Sequence, residues 1–388
     1  MSVFLPWSPR LSHAASPSRP IPEDLLPWVV DAFGATSGDH ELVPVAGDAS
    51  NRRYFRLADA GRTAIVMEAP PATEKNDAFL SVRELLASHG VRVPQLLAAD
   101  LGRGYLLLED LGNQMLLPLL NEASVDGWYW SACQMLLGFA GIDAAGRIPD
   151  YDRALLEEEL SRLPAWFFRQ LLGMPASGEE EAVFADAAGL LVDSALAQPR
   201  VFVHRDFHSR NLMVVDAGGQ GEALAEAAAE VGGAAEGLAE GPAEGAAGSA
   251  LAVIDFQDAV FGPITYDLVS LLRDCYIRWP RDRVEAWALA QRDALQSAGK
   301  LDAVDDATFL RWFDLMGLQR HLKVLGTFAR LYLRDGKAGY LDDLPLVIAY
   351  VEEVLGRRSA SEPALASFYN WWRKAVTPAI AQQGWAAA

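Results

Sequence analysis

One stretch decides the fold, and it reads Val201-Phe-Val-His-Arg-Asp-Phe-His-Ser-Arg-Asn-Leu-Met-Val-Val215. An apolar run enters this stretch and another leaves it, so polar residues are held between two short strands. Asp206 and Asn211 are five residues apart, and a second carboxylate, Asp255, closes the apolar run at 251–254. In phosphoryl transfer one carboxylate orients and deprotonates a hydroxyl, while an amide oxygen and another carboxylate hold Mg²⁺. The set predicts Asp206 as the base and Asn211 and Asp255 as metal ligands.

The order H-R-D-x-x-x-x-N, followed by a strand that ends in D-F, is that of the protein-kinase catalytic loop and metal-binding aspartate. His208 makes the loop more similar to the aminoglycoside phosphotransferase and choline kinase family, which reads H-x-D-x-H-x-x-N. The resemblance implies an α+β fold with two lobes, a small antiparallel β N-lobe and a mostly helical C-lobe. It also implies ATP and Mg²⁺ as cofactors. The competing interpretation, a buried structural turn, requires two metal-type ligands and a base to converge by accident.

Composition limits the class of protein. The chain has 388 residues, of which 51% are hydrophobic, and only two cysteines, Cys133 and Cys275, so no disulfide framework is indicated. The first residues lack the basic start and unbroken apolar run of a signal peptide. No uncharged apolar run is long enough for a membrane span. The net charge of −19 disfavours nucleic acid as a partner. We expect a cytoplasmic monomer without a membrane or nucleic-acid partner.

The pattern along the chain changes from strands to helices. Residues 1–20 are predicted to form a loose arm, 21–110 an N-lobe that covers the nucleotide, and 111–388 the helical C-lobe. Within the C-lobe, residues 216–250 are rich in Ala, Gly and Glu and hold seven acidic residues but no Lys or Arg. Such a segment buries too little apolar surface to offset its ordering entropy. We interpret it as an inserted surface loop between two strands.

A strand–turn–strand pattern at 42–57 predicts the hairpin that covers the nucleotide phosphates in a kinase. The residues of its turn are Gly47, Asp48, Ala49, Ser50 and Asn51. A single glycine makes a plain β-hairpin equally compatible with the stretch alone, but the family has a similar polar loop here. Glu109 and Leu111 follow a buried strand, where the family has its hinge between the lobes. The backbone of that hinge binds the adenine edge.

The third predicted strand, at 63–68, has no lysine where protein kinases hold the α and β phosphates. One interpretation is that other cations neutralise the phosphates; the candidates are Arg52, Arg53, Arg56 and Lys75. The other is a protein that binds nucleotide without transferring phosphate. Glu84, the acidic residue of the following helix, has no assigned partner.

The resemblance also implies supporting residues around the catalytic loop. His204 and Arg205 are expected to brace the loop, and Asp267 to pin it by hydrogen bonding. His208 is a candidate for contact with the substrate or the metal site. A later helix carries a polar cluster, which we interpret as a solvated basic face with Arg330 as a candidate acceptor-binding residue. Its members are Gln319, Arg320, His321, Lys323 and Arg330.

Three stretches, at 47–56, 204–213 and 254–276, resemble the bacterial anomeric kinases of N-acetylmuramate and N-acetylglucosamine, which act in peptidoglycan recycling. That group also lacks the strand lysine, which disfavours an inactive kinase. The resemblance implies a small-molecule amino sugar as the partner, phosphorylated at its C1 hydroxyl. A kinase of a cationic alcohol, such as an aminoglycoside or choline, and a non-catalytic nucleotide-binding scaffold stay open. A protein kinase is disfavoured because no A-P-E-type segment follows Asp255.

Overall fold

The computed structural model describes residues 19–36, 38–45, 51–216 and 249–387. The predicted arm at 1–20 and insert at 216–250 therefore lie almost wholly outside the described residues. The predicted α+β class is confirmed. A five-stranded antiparallel sheet comes first, and the remainder of the chain is mainly helical, as predicted for a kinase-like protein.

The N-lobe sheet has the strand order β1-β2-β3-β5-β4, with every neighbouring pair antiparallel. Its strands are β1 (Val43–Pro44), β2 (Arg53–Asp59), β3 (Arg62–Glu68), β4 (Leu96–Asp100) and β5 (Tyr105–Glu109). Helix α1 (Leu25–Phe33) precedes the sheet, and helix α2 (Asn76–Ser88) connects β3 to β4. The strand and helix patterns read from the sequence of this lobe are thus present.

The two helices of this lobe cover opposite faces of the sheet. Successive side chains of a strand point to opposite faces. Val66 of β3 accordingly packs in one apolar cluster with Leu25 and Val29 of α1. Met67, the next residue, packs in the other cluster with Phe79 of α2. The continuous apolar run of β3 is explained by this double coverage.

Two short antiparallel strand pairs flank the catalytic loop. Strand β6 (Arg200–Val203) pairs with β9 (Val260–Pro263), and β7 (Leu212–Asp216) pairs with β8 (Ser249–Val253). The loop from His204 to Asn211 joins β6 to β7, and Asp255 follows the end of β8. The two strands predicted on either side of the insert are present, and they pair with each other.

The rest of the C-lobe is helical. Its helices are α3 (Val125–Phe139), α4 (Arg153–Arg162), α5 (Gly178–Leu196), α6 (Tyr266–Leu272), α7 (Arg281–Ser297), α8 (Asp306–Asp335), α9 (Tyr340–Arg358), α10 (Pro363–Trp371) and α11 (Thr377–Ile380). Two π-helical segments, Leu163–Leu171 and Trp372–Val376, follow α4 and α10. In the part of the chain that the structure describes, no helix is both long and apolar enough to cross a membrane.

Helix α8 is the central element of this lobe. Asp305 caps its start by accepting the Thr308 N–H at 2.7 Å, and Gly336 ends it at a left-handed φ of 69°. Helices α4, α5, α6, α7 and α9 all pack against it. Most of its side chains between Phe313 and Leu331 are consequently buried.

The polar cluster on α8 is therefore not a solvated basic face, and that prediction was wrong. Gln319, Arg320 and His321 are at most 3% exposed, and Lys323 is 8% exposed. Enclosure by five helices leaves no solvated side at this part of α8. The cluster needs protein or ligand partners, because a buried polar group without a hydrogen bond costs free energy.

Gly326 marks the closest approach of α8 to another element. A Cβ added there would lie 2.4 Å from the carbonyl carbon of Arg162 and 2.5 Å from its oxygen. Backbone atoms inside a helix cannot move aside cheaply. We expect Gly326→Ala to lower the free energy of unfolding by about 1–3 kcal/mol, measured by denaturant titration.

Gly189→Ala is the matched control, since Gly189 lies within α5 with no atom inside 4 Å of its added Cβ. Alanine is the better helix former by about 0.5–1 kcal/mol, so this variant should be at least as stable as the parent. A Gly326→Ala protein as stable as Gly189→Ala would contradict the close helix crossing.

Candidate active site

The start of the catalytic loop is held by His204, which is fully buried. Its Nδ1 accepts the N–H of Asp206 at 3.2 Å, and its Nε2 lies 3.1 Å from the carbonyl oxygen of Ile254. Burial lowers the pKa of His204 to about 4, so the ring is neutral, with Nε2 as the donor. One imidazole thus ties Asp206 to the residue before Asp255.

Asp267 of α6 lies under the same end of the loop. Its carboxylate accepts the N–H of His204 at 2.6 Å and the N–H of Arg205 at 3.0 Å. Burial raises the pKa of Asp267 to about 7 against the effect of these two hydrogen bonds. Arg205 has a φ of 77°, a strained conformation for a non-glycine residue. The two hydrogen bonds hold the backbone in this conformation.

Asp274 holds the other end of the loop, and sequence reasoning missed it. The N–H of Ser209 donates to its Oδ2 at 3.0 Å, and the Ser209 hydroxyl donates to the same oxygen. Its Oδ1 accepts the N–H of Tyr276 at 3.2 Å. Asp274 follows the end of α6 by two residues, so helical periodicity gave no signal for it.

Asn211 and Asp255 come together beside the loop. The Asn211 Nδ2 donates to the backbone oxygen of Asp206 at 3.0 Å and lies 3.4 Å from the Asp255 Oδ2. This orientation turns the amide Oδ1 of Asn211 away from both partners. Gln257 Nε2 donates to the Asp255 Oδ1 at 2.7 Å, and Asp255 has a φ of 67°. The Asn211 amide and the Asp255 carboxylate thus lie side by side, with the amide nitrogen facing the carboxylate and the amide oxygen directed away from it.

This donor pair fits Mg²⁺, which uses one or two carboxylates and takes its other ligands from water and substrate phosphates. Within the described ranges, no group of three or more His, Cys, Asp or Glu side chains could hold a metal ion. A site completed by nucleotide phosphates is therefore the arrangement that these side chains favour.

Asp206 is half-buried between positive charges. Burial raises the pKa of Asp206. The charges of four neighbours lower it more, so the pKa is about 2; they are Lys323, His208, Arg205 and Arg320. The carboxylate is ionised at neutral pH. It therefore accepts a hydrogen bond from an alcohol without first losing a proton.

Glu159 of α4 is the anion at the centre of these cations. It is fully buried and accepts hydrogen bonds from Arg205 and Tyr151, while Lys323 Nζ lies 3.3 Å away. Burial raises its pKa, but Lys323 and Arg205 lower it to about 2. Its neighbours Glu157 and Glu158 are exposed, so three consecutive glutamates contain one buried member that composition could not distinguish.

The nucleotide side of the site contains the predicted hinge. The Glu109 side chain is paired with Arg92 and accepts the Gln95 N–H at 3.1 Å, and its own N–H donates to the Gln95 oxygen at 2.9 Å. Leu111 makes no hydrogen bond to another described residue. The backbone groups of Leu111, rather than those of Glu109, are thus open to a ligand.

The predicted phosphate turn is described only at its end. Asn51 donates its N–H to Glu74 Oε1 at 3.1 Å. The other candidates in the turn lie outside the described residues: Gly47, Asp48, Ala49 and Ser50.

The basic candidates for the missing lysine have carboxylate partners. Glu74 Oε2 lies 3.1 Å from Arg52 Nε, and both side chains are buried. Arg53 pairs with Glu68 at 2.5 Å, and Arg56 pairs with Asp110 of the hinge at 2.6 Å; Lys75 is exposed. The Glu84 side chain is 75% exposed beside Arg83. A buried ion pair therefore joins the sheet to the start of α2, but neither partner is on β3.

The model of the phosphotransferase enzyme family matches residues 41–224 and 246–307. This chain belongs to that family. A relative from Pseudomonas putida, N-acetylmuramate/N-acetylglucosamine kinase, is 41% identical over 317 residues, 82% of this chain and 84% of the relative. A relative of the same name from Pseudomonas aeruginosa is 42% identical over 318 residues, 82% and 85% of the two chains.

The fold is similar to that of solved phosphotransferases. The ADP-bound aminoglycoside phosphotransferase APH(2'')-Ib superposes with a TM-score of 0.53 at 10% identity, covering 86% of this chain and 99% of that one. The predicted resemblance to this family is confirmed, and with it the assignment as a phosphotransferase.

The second half of the catalytic loop packs against Tyr276. His208 stands edge-on to the Tyr276 ring at 5.3 Å, and the Arg210 guanidinium lies 3.5 Å from the centre of the same ring. Burial lowers the pKa of His208. Arg210 lies 4.0 Å from Asp343, whose pKa burial raises to about 7.

Arg330 lies away from the catalytic loop. It follows Arg320 by ten residues on α8, about 15 Å along the axis. The charges that act on it come from Arg162, Arg334 and neighbouring acids, and not from the catalytic loop.

The buried Glu159 cluster yields a stability prediction. Glu159→Gln leaves Arg205 and Lys323 buried without their anion, so we expect a loss of about 3–5 kcal/mol of unfolding free energy. Folding depresses the pKa of Glu159 from 4.5 to about 2. Its contribution is complete above pH 4.5 and is lost as the pH falls towards 2. The deficit measured by denaturant titration should thus be equal at about pH 8 and about pH 5.5.

Glu157→Gln is the control, because the Glu157 side chain on the same helix is 55% exposed. An exposed ion pair contributes little, so this variant should lose at most about 1 kcal/mol. A Glu159→Gln deficit that shrinks between about pH 8 and about pH 5.5 would show that Glu159 is not held ionised by its partners.

Proposed function

We propose that this phosphotransferase transfers the γ-phosphoryl group of ATP to the C1 hydroxyl of N-acetylmuramate and N-acetylglucosamine, in cell-wall recycling. The observation that carries the proposal is the convergence of one ionised carboxylate with an amide–carboxylate pair at the end of a pinned loop. The relatives named for this activity support the choice of sugar.

Asp206 would orient the C1 hydroxyl and accept its proton. A carboxylate whose pKa is about 2 is a weak base. An anomeric hydroxyl is more acidic than an ordinary alcohol, and the transition state of phosphoryl transfer is loose, so little proton transfer is needed early. The main contribution of Asp206 is therefore orientation, with proton acceptance late in the step.

Asn211 and Asp255 would hold Mg²⁺. When bound, the ion neutralises charge on the β and γ phosphates. Gln257 keeps the Asp255 carboxylate in one orientation. His204 couples this part of the site to Asp206, since one ring bonds the backbone on both sides. The turn at 47–51 would cover the phosphates, and the backbone of Leu111 would bind adenine.

A cationic alcohol fits this cleft less well than a sugar. Arg320, Lys323 and Arg205 all act on Asp206, and Arg210 stands at the acceptor side. An aminoglycoside needs carboxylates at such positions. The balance of charge around Asp206 favours a neutral or anionic acceptor.

We also propose that the enzyme acts in the cytoplasm as a monomer without a nucleic-acid partner. Cys133 and Cys275 are buried free thiols, which is typical of reducing compartments. The net charge of −19 supports the absence of nucleic acid.

Asp206→Asn tests the base. We expect a loss of roughly 10²–10⁴-fold in kcat with either sugar. Binding of the nucleotide should persist, because Asp206 is not a metal ligand in this proposal. The measurements are ADP release with Mg²⁺-ATP, phosphorus NMR for a sugar 1-phosphate, and nucleotide titration calorimetry.

Asp186→Asn, an exposed change on α5, is the control and should retain the parent activity. Near-parental turnover of Asp206→Asn would remove Asp206 as the base. If the parent enzyme phosphorylated only kanamycin or choline, the cationic-alcohol assignment would replace this one.

Asn211→Ala tests the metal site. Removal of one of two protein ligands should raise the Mg²⁺ concentration at half-maximal velocity by at least about tenfold. Mg²⁺ titration at saturating ATP measures this change. Asn370→Ala, at an exposed position of α10, should leave the Mg²⁺ dependence unchanged. The same dependence in both variants would exclude Asn211 as a ligand.

A further inference from the structure

Arg320 differs from the other buried basic side chains of the described ranges. Four others are at most 9% exposed, and each lies beside a carboxylate: Arg52, Arg273, Arg292 and Lys323. Arg320 is 3% exposed, yet no carboxylate oxygen of the described residues lies within 4.0 Å of its guanidinium. A buried guanidinium that makes no hydrogen bond to an anion keeps part of its desolvation cost. A substrate that brings an anion would remove this cost.

The partner that Arg320 has in the protein is a weak one. Its Nη1 donates to the Sγ of Cys275 at 3.4 Å, and burial keeps that thiol protonated by raising its pKa to about 11. The other guanidinium nitrogens have no partner in the described part of the chain, but they are not sealed from solvent. Two donors of the fork are therefore available to a ligand.

The guanidinium of Arg320 lies beside the second half of the catalytic loop. Cys275, which it contacts, stands in the chain between Asp274, whose carboxylate accepts the Ser209 N–H, and Tyr276, whose ring packs against His208. His208 and Ser209 belong to the loop that carries Asp206. Arg320 itself comes from α8, in the core of the helical lobe.

The proposed metal ligands, Asn211 and Asp255, flank the β7–β8 hairpin, which contacts the segment after the hinge. They stand at the ends of β7 and β8, and the backbone of this hairpin bonds the segment that follows the hinge, as in the 2.8 Å bond from Leu116 N–H to the Leu212 oxygen. A molecule that contacts both Asp206 and Arg320 therefore occupies the acceptor position rather than the nucleotide position.

We infer that Arg320 binds the carboxylate of the lactyl ether that distinguishes N-acetylmuramate from N-acetylglucosamine. The inference rests on the proposed function and assigns the group that separates its two sugars. A guanidinium fork matches a carboxylate with two parallel hydrogen bonds. The net charge of −19 repels an anionic sugar, so a buried cation at the acceptor position is needed to hold it.

Arg320→Gln tests the assignment, because glutamine keeps a donor but removes the charge. With Mg²⁺-ATP, we expect kcat/KM for N-acetylmuramate to fall roughly 10- to 100-fold, mainly through KM. For N-acetylglucosamine the loss in kcat/KM should be at least about tenfold smaller, so the ratio of the two kcat/KM values falls, while KM for ATP should change less than about threefold. Arg334→Gln, near the exposed end of the same helix, should alter neither sugar.

A second measurement leaves the protein unchanged, which matters if Arg320→Gln does not fold. The methyl ester of N-acetylmuramate keeps the lactyl group and removes its charge. With the parent enzyme, the ester should lose most of the advantage of the free acid. With a folded Arg320→Gln enzyme, the acid and the ester should react alike.

The outcomes separate this inference from the proposed function. Turnover of neither sugar by the parent enzyme would overturn the proposed function itself. Equal losses on both sugars with a lower kcat would assign Arg320 to the transferred phosphoryl group and overturn the inference alone. An ester as good a substrate as the acid would also overturn it.

Discussion

The site depends on the fixation of one loop by carboxylates buried beneath it. Asp267 binds the backbone at the start of the loop, and Asp274 binds it at Ser209. Both carboxylates come from the segment that begins with α6, so one rigid element sets the position of Asp206. In the proposed mechanism Asp206 acts mainly by orientation, which is sensitive to displacements of about 1 Å. The fixation of the loop therefore matters more than the basicity of Asp206.

An ion pair with a buried carboxylate also stabilises this loop. The largely buried guanidinium of Arg205 needs an anion, and Glu159 supplies one in the core. Lys323 shares that anion, so two cations are kept near Asp206 by a single carboxylate. The net positive surroundings keep Asp206 ionised despite its burial. The ion pairs of Glu159 with Arg205 and Lys323 therefore also set the charge around Asp206.

Local pattern was sufficient for the secondary-structure elements and for the proximity of the candidate site residues. Apolar runs bounded by turn residues identified the strands, and the spacing of Asp206, Asn211 and Asp255 identified their convergence. Partners distant in sequence were not predictable. Glu159 has the same local setting as two exposed glutamates, and only the packing of α4 against α8 buries it. Likewise, helical periodicity does not reveal that α8 is enclosed on all sides, which is why its polar cluster was taken as solvated.

That enclosure connects fold to specificity. A charge on a central helix surrounded by others needs a partner, and Glu159 of α4 is the partner of Lys323, whereas Arg320 donates only to the Cys275 thiol. A surface arginine at the same distance would be solvated and screened, and would discriminate little between a neutral and an anionic sugar. A buried guanidinium costs free energy when it has no anionic partner. It therefore favours an anionic ligand over a neutral one. An acidic protein can in this way hold an anionic substrate at one internal position.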